Sequence, residues 1–157
     1  MIYFISDLHL GHKSIVTHRT GFSSIEEHDQ LFFDQFAKLN KRDIVFILGD
    51  FIFDSDKYQY YIDVFNKFSC RIKLLMGNHD SLRLYKETRF EMQLPLFSYK
   101  NIWLSHAPIH SSELRNRLGN IHGHTHYHCV DDSRYMNVCP ENTRNKLVDF
   151  ESIFFLS

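Results

Sequence analysis

Apolar and polar positions alternate along this chain in short blocks. Five runs have the length and β-branched content of buried strands: Ile2-Tyr3-Phe4-Ile5-Ser6, Ile44-Val45-Phe46-Ile47-Leu48, Ile72-Lys73-Leu74-Leu75-Met76, Ile102-Trp103-Leu104-Ser105 and Asn120-Ile121-His122. Two stretches between them repeat with a helical period instead. Ser24-Ile25-Glu26-Glu27 predicts a capping box, the Ser24 hydroxyl and Glu27 carboxylate capping backbone N–H groups. Ile25, Phe32, Phe36 and Leu39 then share roughly one helical face, and the polar segment 40–43 stops the helix. A second helix from about Asp56 sets Tyr58, Tyr61, Ile62, Phe65 and Phe68 at helical spacing. Strand–helix–strand–helix–strand implies parallel strands joined by crossovers, and so an α/β fold.

The second half reads differently. Residues 97–99 and 101–105 predict short neighbouring strands, followed by a polar loop at 111–116 and a further strand at 135–138. Residues 140–146 read as loop, and 150–156 are apolar but fit either strand or helix. There is no internal repeat, low-complexity tract or linker, so residues 1–157 are expected to form one domain around one core.

The residues directly after each strand carry the chemistry. The five runs lead into Asp7-Leu8-His9, Gly49-Asp50, Gly77-Asn78-His79-Asp80, His106 and Gly123-His124-Thr125-His126. In open α/β sheets, ligands bind outside the carboxyl ends of strands. Clusters far apart in sequence can therefore converge on one rim. Asp7 and His9 lie on one side of an extended segment, and Gly49 permits close backbone approach ahead of Asp50. Asn78 offers a neutral carbonyl oxygen, His79 a ligand or a proton, and His124 and His126 two imidazoles one residue apart. Each alone is an ordinary rim residue; the ordered series is a candidate metal centre. Carboxylate, imidazole and amide oxygen suit borderline to hard divalent ions without any thiolate.

That series resembles the calcineurin-like metallophosphoesterase superfamily, in particular its small bacterial and phage members, from Met1 to about Val138. The resemblance implies a four-layer α/β/β/α sandwich and a two-metal hydrolase. Asp7, His9 and His126 would hold one ion, Asn78, His106 and His124 the other, and Asp50 would bridge them. A hydroxide between the ions would attack phosphorus in line, while His79 contacts the phosphate and assists the leaving group. Manganese is the expected pair of ions, with iron, zinc, nickel or cobalt as alternatives. The expected substrate is a phosphodiester or small phosphoester such as a nucleotide. One departure stands out. Many members read Gly-Asp-x-x-Asp, the second Asp orienting the catalytic His; here Phe53 holds that position, so either Asp54 substitutes or His79 is oriented differently.

Composition narrows the remaining readings. A net charge of −1 gives no general attraction to nucleic acid or anionic membrane. Three cysteines without a Cys-x-x-Cys fit a reducing cytoplasm, and neither a signal peptide nor a membrane span is expected. The protein is expected to be a monomer or a small homo-oligomer. His12 and His110 are candidate substrate contacts, and Asp80 either supports a ligand or caps a turn. Lys13, Arg19, Arg83, Arg115 and Arg117 read better as solvated charge than as phosphate contacts, and Trp103 as core. His122 and His128 continue the alternation of His124 and His126; one straight strand would make a zinc site with Cys129, whereas the resemblance expects a turn at Gly123. Two other functions use the same residues: a non-enzymatic metal-binding scaffold with Phe150, Phe154 and Phe155 as a contact surface, and a nuclease, which the missing basic stripe disfavours.

Overall fold

The computed structural model describes residues 1–87 and 89–153. Two sheets lie face to face. The first has the order β4-β3-β2-β1-β9, built from β1 (Ile2–Ile5), β2 (Ile44–Leu48), β3 (Arg71–Leu75), β4 (Glu91–Met92) and β9 (Val148–Asp149). Strands β1 to β4 run parallel and β9 antiparallel. The second has the order β5-β6-β7-β8, with β5 (Leu96–Tyr99) antiparallel to β6 (Ile102–Ser105), and β7 (Gly119–His122) and β8 (Tyr135–Asn137) parallel to β6.

Strand alternation divides the core in two. Phe4, Phe46, Leu48 and Leu75 point from the first sheet onto Ile102, Leu104 and Ile121 of the second. Their neighbours Ile5, Val45, Ile47, Ile72 and Leu74 point the other way, onto helices α2 (Ile25–Ala37) and α3 (Tyr58–Phe65). There Phe36 meets Phe65 edge-on at 4.9 Å between ring centroids. A one-turn helix α1 (Ile15–His18) precedes α2. The architecture is thus the expected α/β/β/α type, with a thin fourth layer. On the outer face of the second sheet, Trp103 Nε1 donates to Glu113 O, Ile109 N donates to Asn120 Oδ1, and Tyr135 OH donates to Ile109 O. A 3-10 turn at Ser111–Glu113 covers that sheet where a helix would otherwise lie.

Several local expectations change. Ser24 caps α2 as predicted, accepting from Glu27 N, but the Glu27 carboxylate accepts from the N and Oγ of Ser23 rather than from Ser24. Trp103 is half-buried on the outer face, under the Arg117 guanidinium, because its neighbours Ile102 and Leu104 take the inward positions. The segment after Cys139 is not all loop: Pro140–Thr143 forms a helical turn, α4, with Pro140 at its start, where a missing N–H costs nothing. Phe150–Ser152 is a 3-10 turn, while Phe154 and Phe155 fall outside the described residues. No helix among the described residues is long and apolar enough to cross a membrane.

Candidate metal centre

The carboxyl ends of β1, β2, β3, β6 and β7 meet at one rim. Past their strands the chains stay tied together: Asp7 N donates to Gly49 O, His9 N to Asp50 O and Leu10 N to Phe51 O, each at 2.9–3.0 Å. The Asp80 carboxylate fastens the β2 and β3 ends by accepting from the backbone N–H groups of Asp50, Gly77 and Phe51, all at 2.8 Å. Burial raises its pKa, and these donors act against that rise. Asp80 is therefore a loop anchor under Asp50. Gly123 N donates to His106 O, carrying the β6–β7 pairing past the strand ends, while His106 Nδ1 and His124 N reach across to Leu48 O and Asp7 Oδ2 of the first sheet. Any side chain at Gly123 would collide with Ser6 Oγ and Asp7 Oδ2.

The backbone at this rim is unusual. Asp7, His9, Asp50, His124 and His126 all have positive φ, between 47° and 68°. Each such residue costs on the order of 1–2 kcal/mol relative to ordinary helix or strand conformation, and Asp, Asn and His tolerate it best. This geometry also overturns the straight-strand alternative for the histidines. The chain turns at Gly123, His122 is fully buried with its ring bonded to Gly123 O, and His128 lies on the rim.

Asp7 shows the polarity of the site. Its Oδ2 accepts from His124 N at 2.8 Å, lies 2.5 Å from the Ser6 hydroxyl, and receives the Cys139 thiol at 3.2 Å. Its Oδ1 is buried and has no hydrogen-bond partner. That bare oxygen stands 3.7 Å from His9 Nε2 and 4.0 Å from His126 Nε2. Burial would raise the Asp7 pKa, but His9, Ser6, His106 and His124 N together hold it well below the usual carboxylate range. Burial pushes the Cys139 thiol strongly up, so it remains a proton donor.

The imidazoles are oriented from behind. His106 Nδ1 donates to Leu48 O, which aims Nε2 at Asn78 Oδ1 (2.9 Å), Asp50 Oδ2 (3.5 Å) and His124 Nδ1 (3.2 Å). His126 Nδ1 donates to Glu141 Oε1 at 2.9 Å, which aims its Nε2 at Asp7. Burial lowers the His106 pKa, yet Asp50 and Asp7 outweigh it and the net shift is upward; Glu141 raises that of His126. Lone pairs of nitrogen and oxygen thus converge on two places. The donor atoms of Asp7, His9 and His126, and those of Asp7, Asp50 and His106, lie within 4.8 Å of one another. Gathered carboxylates and imidazoles of this kind are stabilised by positive charge among them, from a bound cation or from protons on the rings. The donor set fits divalent ions.

The predicted residues Asp7, His9, Asp50, Asn78, His106, His124 and His126 are thereby brought together, with His79 beside them. His79 N donates to Asp50 Oδ1, and its exposed ring lies 5.7 Å from that of His9. Phe53 occupies the neighbouring space, 5.5 Å from the His79 ring. Asp54 is not its substitute: its Oδ1 accepts from Asp56 N and Lys57 N at the start of α3. His12 lines the cleft, but His110 does not; it caps the turn at Ser111–Glu113 and borders a separate hollow with Asp131 and Tyr135.

Three further residues join the site from outside the sequence motifs. Arg19, expected in solvent, is buried: it donates to Asp7 O, Leu8 O and Glu141 Oε1, and lies against His28 Nε2. Glu141 on α4 joins Arg19 to His126, and Cys139 touches Asp7. Pro140 followed by Glu141 is a helix-start signal available in the sequence. Nothing local announces Arg19 or Cys139.

The chain matches the calcineurin-like phosphoesterase family over residues 1–153. It belongs to that family. Gene 66 protein of Mycobacterium phage L5 is 30% identical to this phosphoesterase over 158 residues, covering 79% of this chain and 76% of its own. A protein of unknown function from Aquifex aeolicus has the same fold, with a TM-score of 0.78 and 24% identity over 100% of this chain and 99% of its own. An archaeal phosphodiesterase shares the fold more loosely, with a TM-score of 0.51 and 20% identity over 96% of this chain and 93% of its own. Metal-dependent phosphoester hydrolysis is therefore the general activity of this phosphoesterase chain.

Proposed function

We propose that the protein is a binuclear phosphodiesterase acting on small phosphodiesters. Asp7, His9, Asp50 and His126 would hold one divalent ion and Asp50, Asn78, His106 and His124 the other. Manganese is the preferred species. Such ions supply positive charge for the phosphoryl oxygens and acidify water. The observation that carries the reading is the bare, buried Oδ1 of Asp7 facing the unpartnered Nε2 of His9.

The chain's own groups do the rest. Asp50 turns Oδ2 toward His9 and His106 while its Oδ1 holds the backbone of His79. His79 is thereby tethered at the edge of the cation site with its ring free to carry a proton to the departing oxygen. Leu48 O and Glu141 fix which nitrogen of His106 and His126 faces inward. Phe53 packs beside His79 where many relatives have a carboxylate, so His79 lacks a fixed anionic partner there. This favours readily departing esters over poor leaving groups.

Hydrolysis of bis-p-nitrophenyl phosphate by manganese-reconstituted protein tests the reading. Activity is expected to vanish with EDTA and with Asp50→Asn. Turnover that survives both refutes it.

A further inference from the structure

A cleft of about 680 Å³ opens over the cation site, whose His9, His79, His124 and His126 form part of its wall. Ile15, Phe53 and Tyr127 line it together with histidines, and among its described lining residues there is no lysine or arginine. The nearby Arg19 is unavailable, being buried and engaged by Glu141 and two backbone carbonyls. A ligand therefore finds no lysine or arginine to clamp a second phosphate, and its organic part meets aromatic surface. Phe53 stacks on His12 at 3.9 Å between centroids and 28° between planes, yet stays 41% exposed. Tyr127 is 58% exposed although its hydroxyl is tied to His18 O. Both rings are held in place by these partners while keeping surface open to the cleft. Preorganised aromatic faces of this kind bind flat π-systems with little loss of side-chain entropy.

We infer that the cleft selects phosphoesters whose organic group carries a flat aromatic ring, such as a nucleobase, with Phe53 and Tyr127 as the specificity-determining residues. The inference rests on the phosphodiesterase reading and names the substrate class of that same site. The cavity is within the size range of small-molecule sites and accommodates a nucleoside.

The test uses inhibition, which does not depend on which ester bond breaks. Adenosine 5′-monophosphate and ribose 5-phosphate share sugar and phosphate and differ in the base. As competitive inhibitors of bis-p-nitrophenyl phosphate hydrolysis by the manganese-loaded protein, their Ki values are expected to differ by about ten-fold or more in favour of the base. That ratio should hold from about 50 to about 500 mM salt, since stacking is not screened. Phe53→Ala and Tyr127→Ala should each pull the ratio toward unity, and Phe53→Leu, which preserves bulk without a ring, should do the same if the aromatic face is what matters. Calorimetric titration of the same two ligands provides an independent readout. Equal Ki values in the wild type, or a ratio untouched by all three variants, overturns the inference while leaving the hydrolase standing. Absence of any manganese-dependent hydrolysis overturns the function beneath it, and the inference with it.

Discussion

Glu141 offers the sharpest test of how the centre is held. Its Oε1 lies 2.9 Å from both His126 Nδ1 and Arg19 Nε, and the Glu141 and Arg19 side chains are each 1% exposed. Burial alone would raise the Glu141 pKa, but His126 and Arg19 pull it down to about 2 from an ordinary 4.5. A shift of that size corresponds to about 3 kcal/mol of folded-state stabilisation. Because the folded pKa is depressed, this contribution is complete above pH 4.5 and disappears as pH falls toward 2. Glu141→Ala would leave the Arg19 guanidinium buried among two carbonyls and His28, at a cost of about 3–5 kcal/mol. For a chain of this length that lowers Tm by about 6–20 °C. It would also free the His126 ring, weakening manganese binding by about 10–100-fold. Glu141→Gln keeps one acceptor and should fall between the two. Thermal melts at pH 7, with manganese titration followed by calorimetry, measure both effects. A Glu141→Ala protein with unchanged Tm and unchanged manganese affinity would refute the argument.

The geometry fixes two other outcomes. His79→Asn should lower kcat on bis-p-nitrophenyl phosphate by about 10²–10⁴-fold while manganese affinity, measured by titration, stays within about two-fold; equal kcat would show that His79 moves no proton. His28 is fully buried between Arg19 and Asp29. Arginine can only donate, so His28 Nε2 must accept and its Nδ1–H must donate to Asp29. Burial accordingly holds its pKa below 6.5. The unfolded chain gains a proton there first, so stability falls as pH drops below 6.5. The Tm advantage of wild type over His28→Gln should shrink from pH 7 to pH 5, and a constant gap would contradict this assignment.

The rim residues are legible because each sits directly after a strand that announces itself. Ile44-Val45-Phe46-Ile47-Leu48 is β2, and Asp50 follows it after the single residue Gly49. The supporting groups are not legible in the same way. Arg19 lies in an exposed-looking polar stretch, and only the approach of Glu141 from 122 residues away makes its burial tolerable. Two-residue strands such as β4 and β9 carry no period to detect. Leu39 and Phe68 keep helical spacing but lie beyond the ends of α2 and α3, where they still pack on the core. Trp103 reads as core in the sequence because hydrophobicity does not say which face of a strand is inward.

The left-handed backbone at Asp7, His9, Asp50, His124 and His126 sets the terms on which this rim can change over evolutionary time. While a cation must be gripped, Asp and His are selected for their side chains despite the torsional penalty. If that demand lapsed, the same five sites would drift toward Gly and Asn, which suit the dihedrals better. Descendants that have abandoned catalysis should therefore betray themselves by glycine and asparagine at these very places, with the surrounding strands left intact.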